Sequence, residues 1–151
     1  MSAEQIRQDE NGEALYHQMI ELGEAARAAS QALATASAEQ KTRALHEAAA
    51  SLRRNADRVH KVNAQEVDAA RANGLDDALV DRLTLSHQRI ESMAAGLETV
   101  AELPEPTGRT LAAWDRPNGL QIARVAVPIG VVGIIYESRP NVTADAAALC
   151  I

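Results

Sequence analysis

The chain has 151 residues, 46% of them hydrophobic and 24% charged, which suffices for one ordinary domain with its own core. A formal charge of −6 excludes a nucleic-acid backbone as the main partner, because such binding needs a surplus of Lys and Arg on one face. A single cysteine, Cys150, excludes a disulfide framework, and no secretory signal or run of roughly 20 apolar residues is present, so a cytoplasmic protein without a membrane partner is expected.

Leu15, Met19, Leu22, Ala26, Ala29 and Leu33 recur at helical spacing and predict one face of a first helix. Ser37-Ala-Glu-Gln40 has the form of a capping box and opens a second helix, with Leu45, Ala48, Ala49 and Leu52 as its inner stripe. Asn55-Ala-Asp57 can cap a third helix, carrying Val59, Val62 and Ala69 up to the stop pair Asn73-Gly74. A short helix over Asp76 to Leu83 follows. Ser86 then caps a longer one with Ile90, Met93, Leu97 and Val100 on one side, closed by Pro104.

After Gly108 the pattern changes. Thr110 to Asp115, the turn Arg116-Pro-Asn-Gly119 and Leu120 to Val127 predict a β-hairpin, with one face solvated or shared with a partner. Val131 to Ile135 is a continuous apolar run suited to a central parallel strand. Such a strand needs a parallel neighbour reached through a crossover helix, which starts here near Val142. The run would otherwise keep an unpaired apolar edge, so the chain is expected to be the N-terminal part of a longer protein.

Ligands of open parallel sheets bind beyond the carboxyl ends of the strands, which directs attention to Tyr136-Glu-Ser-Arg-Pro-Asn-Val-Thr143. Unsatisfied N–H groups at a helix start attract anions, and Arg139 adds a planar fork of donors suited to carboxylate or phosphate. Asn141 and Thr143 suit a helix N-cap as well, and Glu137 suits a surface pair with Arg139. No GxGxxG or P-loop pattern is present. Cys150 lies in an apolar helical stretch without a neighbouring His or cation, as a structural buried thiol would. His17, His46, His60 and His87 fall on separate helical segments without metal-ligand spacing, and Trp114 is expected to serve packing.

The block from Pro128 to Thr143, continued by Asp145-Ala-Ala-Ala-Leu-Cys150, closely resembles gamma-glutamyl phosphate reductase, also called glutamate-5-semialdehyde dehydrogenase. Gly74 to Leu83 and Trp114 to Leu120 look like the same family, so the similarity runs from the first helices to the last residue. The resemblance implies an aldehyde-dehydrogenase-like α/β fold. Residues 1–109 would be the helical part of the cofactor-binding domain, 110–127 an oligomerisation hairpin, and 128–151 the start of a Rossmann-type sheet.

It also implies NADPH-dependent reduction of L-glutamyl 5-phosphate to glutamate 5-semialdehyde, the second step of proline synthesis from glutamate, by a homo-oligomer. In the implied mechanism a cysteine thiolate expels phosphate, and hydride reduces the thioester. Cys150 does not take that place, so the segment bearing the nucleophile is expected beyond these residues and the chain alone is expected to be inactive. Counting from Gly130-Val-Val-Gly133 puts Arg139 at the position where related aldehyde dehydrogenases carry an oxyanion Asn, with Asn141 two residues on. The choice between Arg139 and Asn141 stays open. Asn141 is the candidate oxyanion donor, and Ser138 and Arg139 are candidates for the acyl phosphate or the cofactor. A competing expectation, from the helical region alone, is a non-enzymatic interaction module. The residues that would separate NADPH from NADH are expected beyond these residues.

Overall fold

The computed structural model describes residues 10–137 and 139–151. The described residues divide into two compact units, one of residues 10–36 with 128–132, the other of 37–127 with 133–137 and 139–151. In the first, helix α1 covers Glu10–Thr35. Leu15, Met19 and Leu22 are exposed, while Ala26 and Leu33 are half-buried. Periodicity finds the apolar face of a helix correctly, but does not say that the face is covered.

The second unit contains helices α2 (Ala38–Arg54), α3 (Ala56–Ala72), α4 (Asp77–Leu83), α5 (His87–Ala101) and α6 (Asn141–Leu149), with strands β1 (Thr110–Asp115) and β2 (Gln121–Val125). The starts are built locally. Ser37 Oγ accepts from the Gln40 amide at 3.2 Å and the Ser37 amide donates to Gln40 Oε1 at 2.8 Å, a complete capping box. Asp76 and Ser86 accept from Leu79 N and Arg89 N and cap α4 and α5. Helix α3 ends in a Schellman turn, with Leu75 N donating to Ala70 O and Gly74 N to Arg71 O, and Gly74 at φ +77°. Asn55 precedes α3, but its side chain donates to Ser51 O and does not cap.

The core joins α2, α5 and α6. Ala49 and Ala94 are both fully buried, and their small side chains let α2 and α5 approach closely beside Leu45, Leu97 and Ala148. A second cluster, Leu85, Ile90 and Met93, is flanked by Leu52, Ala56, Val59 and Ala144. Burying a side chain such as Ile90, 1% exposed, stabilises the fold by about 2–3 kcal/mol. On the polar side, Arg53 spans α2 and α5. Its Nε and Nη2 donate to Glu91 at 2.7 to 3.0 Å, and its Nη1 and Nη2 donate to Glu98. The Arg53 hydrogen bonds hold both carboxyls below the usual carboxylate range.

Three expectations change. The inner face of α3 is Asn63 and Val67, whereas Val62 and Ala69 are exposed. The face is chosen by the connector between α4 and α5, whose backbone Asn63 binds. Ala48 likewise points outward from α2. The hairpin forms with Trp114 opposite Ile122, but Trp114, expected to pack, is 46% exposed.

The run Val131 to Ile135 forms no strand, and Ile135 is 103% exposed. A strand exists through hydrogen bonds to a neighbour, and no described segment supplies one. Among the described residues, no helix is long and apolar enough to cross a membrane.

Candidate functional site

Helix α6 is seated by two alanines one turn apart. Ala148 is buried with Leu97 and Leu45, and Ala144 packs on the cluster of Leu85, Ile90 and Met93. With that face inward, Asn141 and Asp145, also one turn apart, border a cleft of about 390 Å³. Its other walls come from the last turn of α4, the connector after it, the first turns of α5, and Arg139.

The connector wall is held from below by α3. Buried Asn63 uses both ends of its amide, Nδ2 donating to Leu83 O at 2.8 Å and Oδ1 accepting from Leu85 N at 2.6 Å. His60 Nδ1 lies 2.8 Å from Leu85 O, and because a carbonyl only accepts, His60 carries its proton on Nδ1. From above, Arg89 Nη2 donates to Asp81 Oδ1 at 2.9 Å, and its Nη1 donates to the carbonyls of Thr84 (2.8 Å) and Asp81. Arg89 is therefore a clamp whose charge is partly neutralised by Asp81.

The remaining charges of the cleft are Arg82, Arg139 and Asp145. Among the described residues neither guanidinium has a hydrogen-bond or ion-pair partner. The expected surface pair of Glu137 with Arg139 does not form among them. Asp145 Oδ2 accepts from Asn141 Nδ2 at 3.0 Å, and Asp145 has no cationic partner there. Ser138 lies outside the described residues.

The expected caps are absent as well. The N-cap position of α6 is Pro140, and Asn141 is already helical. Thr143 Oγ1 instead meets the Tyr136 hydroxyl, which ties the corner loop to the first turn. The structure thus brings Arg139 and Asn141 to one cleft and adds Arg82, Arg89 and Asp145. Sequence spacing carried no sign of Arg82 and Arg89, which reach the corner only through packing.

Cys150, expected to be buried, is exposed at the end of α6. It follows buried Ala148 by two residues, and about 200° of helical rotation turns it outward. His60 and His87 come together, with ring centroids 4.5 Å apart, and His87 Nε2 meets Asp57 Oδ1 at 2.9 Å. Among the described residues no three His, Cys, Asp or Glu side chains form a metal-holding group.

The cleft donors suit one anionic group, with guanidiniums and a spare amide hydrogen as partners. Among the described residues no glycine-rich turn of a dinucleotide site is formed. Gly130 and Gly133 border open space and form no close backbone cradle.

No protein-family model matches the chain. It is 58% identical over 133 residues to the gamma-glutamyl phosphate reductase of Rhodospirillum rubrum, covering 88% of this chain and 31% of that protein. With the reductase of the same name from Parvibaculum lavamentivorans it shares 56% identity over the same coverage. The crystal structure of gamma-glutamyl phosphate reductase from Thermotoga maritima superposes with a TM-score of 0.84 at 41% identity, over 86% of this chain and 31% of that one. The Saccharomyces cerevisiae structure of the same name gives 0.78 at 35% identity, over 82% and 32%. The chain thus spans about a third of the length of the relatives it matches. Over that third, in sequence and in backbone, it is similar to the gamma-glutamyl phosphate reductases.

Proposed function

We propose that these residues belong to an NADPH-dependent reductase that converts L-glutamyl 5-phosphate to glutamate 5-semialdehyde with release of phosphate, in the synthesis of proline. The carrying observation is 58% identity over 133 residues to a reductase of that name, joined to a cleft in which Arg82 and Arg139 have no partner among the described residues. Arg139 binds the anionic end of the substrate. Asn141 holds Asp145 with one amide hydrogen and offers the other to the carbonyl oxygen as it becomes an oxyanion. Ser138 shares the acyl phosphate or cofactor with Arg139.

NADPH supplies hydride when bound. The described residues do not by themselves fit it, so the roles above concern substrate binding and the oxyanion. The attacking thiolate is likewise not among the described residues that line the cleft. The apolar run Val131 to Ile135 suits the first strand of a Rossmann-type sheet, and Leu111, Trp114 and Ile122, all exposed on the hairpin, suit a homo-oligomer contact. Cytoplasmic placement follows from the substrate class.

The test is a chimera in which the 133 aligned residues replace their counterparts in the Rhodospirillum rubrum relative. It is expected to reduce NADP in the presence of glutamate 5-semialdehyde and phosphate. Asn141→Ala in that chimera should lower kcat by about 100-fold, the usual cost of an oxyanion donor. A folded chimera without turnover would refute the reductase proposal, and unchanged kcat in Asn141→Ala would refute the oxyanion role.

A further inference from the structure

The cleft contains opposite charges that do not neutralise one another. Arg82 and Arg139 have no partner among the described residues, Asp145 has no cation, and no ion pair joins them. The other carboxylate, Asp81, is consumed by Arg89. A cleft evolved for a simple anion gains nothing from an uncompensated carboxylate on its wall, since like charge opposes the ligand. Asp145 is also held in place. Its Oδ2 accepts from Asn141 Nδ2 at 3.0 Å, one turn earlier on the same helix.

We propose that Asp145 is the specificity-determining residue that binds the α-ammonium group of an amino-acid substrate in this cleft, an assignment that rests on the reductase proposal above. Arg82 then faces the α-carboxylate, and Arg139 with Asn141 faces the other end of the ligand. The dimensions agree. Asn141 Nδ2 and Asp145 Oδ2 are 3.0 Å apart. With a hydrogen bond of about 2.9 Å at each end, their bound groups lie no more than roughly 9 Å apart. Four bonds of about 1.5 Å separate the amino nitrogen of a glutamyl chain from its reacting carbonyl carbon, roughly 5 Å when extended. One ligand therefore reaches both side chains. The same carboxylate repels a diacid without the amine, so attraction and repulsion select in one direction.

The experiment titrates the chain in its full-length setting, the chimera above, with L-glutamate and with glutarate, the same five-carbon diacid lacking the amine, followed by calorimetry. L-Glutamate is expected to bind about five- to tenfold more tightly, in keeping with a solvent-accessible, charge-assisted contact. Asp145→Asn, nearly isosteric and at an exposed position, should abolish that preference, and Asp145→Glu should retain part of it. Equal affinities in the parent chimera, no binding of either diacid, or a preference that survives Asp145→Asn would each overturn the assignment. An inactive chimera combined with an Asp145-dependent preference would refute the reductase proposal alone. An active chimera without the preference would refute the Asp145 assignment alone.

Discussion

Asn63 offers the most direct test of how the cleft wall is built. Its amide satisfies Leu83 O at 2.8 Å and Leu85 N at 2.6 Å, and the side chain is 4% exposed. Asn63→Ala strands a buried N–H at Leu85, which costs about 1–3 kcal/mol, while the half-buried Leu83 carbonyl recovers water for about 1 kcal/mol or less. The expected loss is about 1–4 kcal/mol, a large fraction of the stability of a domain this size. Urea unfolding at 25 °C should show the midpoint falling with the slope unchanged.

Asn63→Asp sharpens the argument. It keeps an acceptor for Leu85 N but sets a carboxylate against Leu83 O, so it should be destabilised most at neutral pH and recover as the pH falls and the carboxyl gains a proton to donate. A loss below about 0.5 kcal/mol in Asn63→Ala would refute the claim that this amide holds the connector, since that is the range of neutral surface substitutions.

Acid stability provides a second check. Arg53 hydrogen bonds depress Glu91 and Glu98, and the Thr107 amide, followed by Lys41, depresses Glu105. Depressed folded-state values stabilise the protein above the unfolded value near 4.5 and lose that contribution as the pH falls through the folded values. Stability should therefore fall below about pH 4.5, and Arg53→Gln should flatten part of that slope while Glu105 keeps the rest. An identical slope in both proteins would refute the assignment to Arg53. Ala49→Leu, at a fully buried contact of α2 with α5, should overpack the interface and cost about 1–3 kcal/mol in thermal or urea unfolding. Ser37→Ala removes one half of the capping box and should cost about 1 kcal/mol, read as a lower urea midpoint.

The residues themselves determine the helix starts and stops, because each is settled within a few positions. Ser37 with Gln40, Ser86 and the Asn73-Gly74 stop all behave as their spacing predicts, and Asp76, expected inside its short helix, caps it. The stripe of α5 was legible for a related reason, since Ile90, Met93 and Leu97 face a core on one side only. The hairpin was legible from its turn, with Gly119 at φ +84° between arms that pair regularly from Asp115 and Gln121 to Ala112 and Arg124 and shift register at Leu111.

Tertiary structure decided what depends on distant partners. Asn63 turns inward, and Val62 outward, because the backbone of Leu83 and Leu85 offers hydrogen bonds that an apolar pattern does not reveal. Val131 to Ile135 has a strand's composition, yet without a neighbouring strand it has no ladder to join. Asn141 is bound by Asp145 rather than serving as a cap, and Arg89 is spent on Asp81 and Thr84 while Arg82 and Arg139 stay free among the described residues. Local hydrogen bonds are written in neighbouring residues, whereas the charge of the cleft depends on which side chains packing brings within reach of each other.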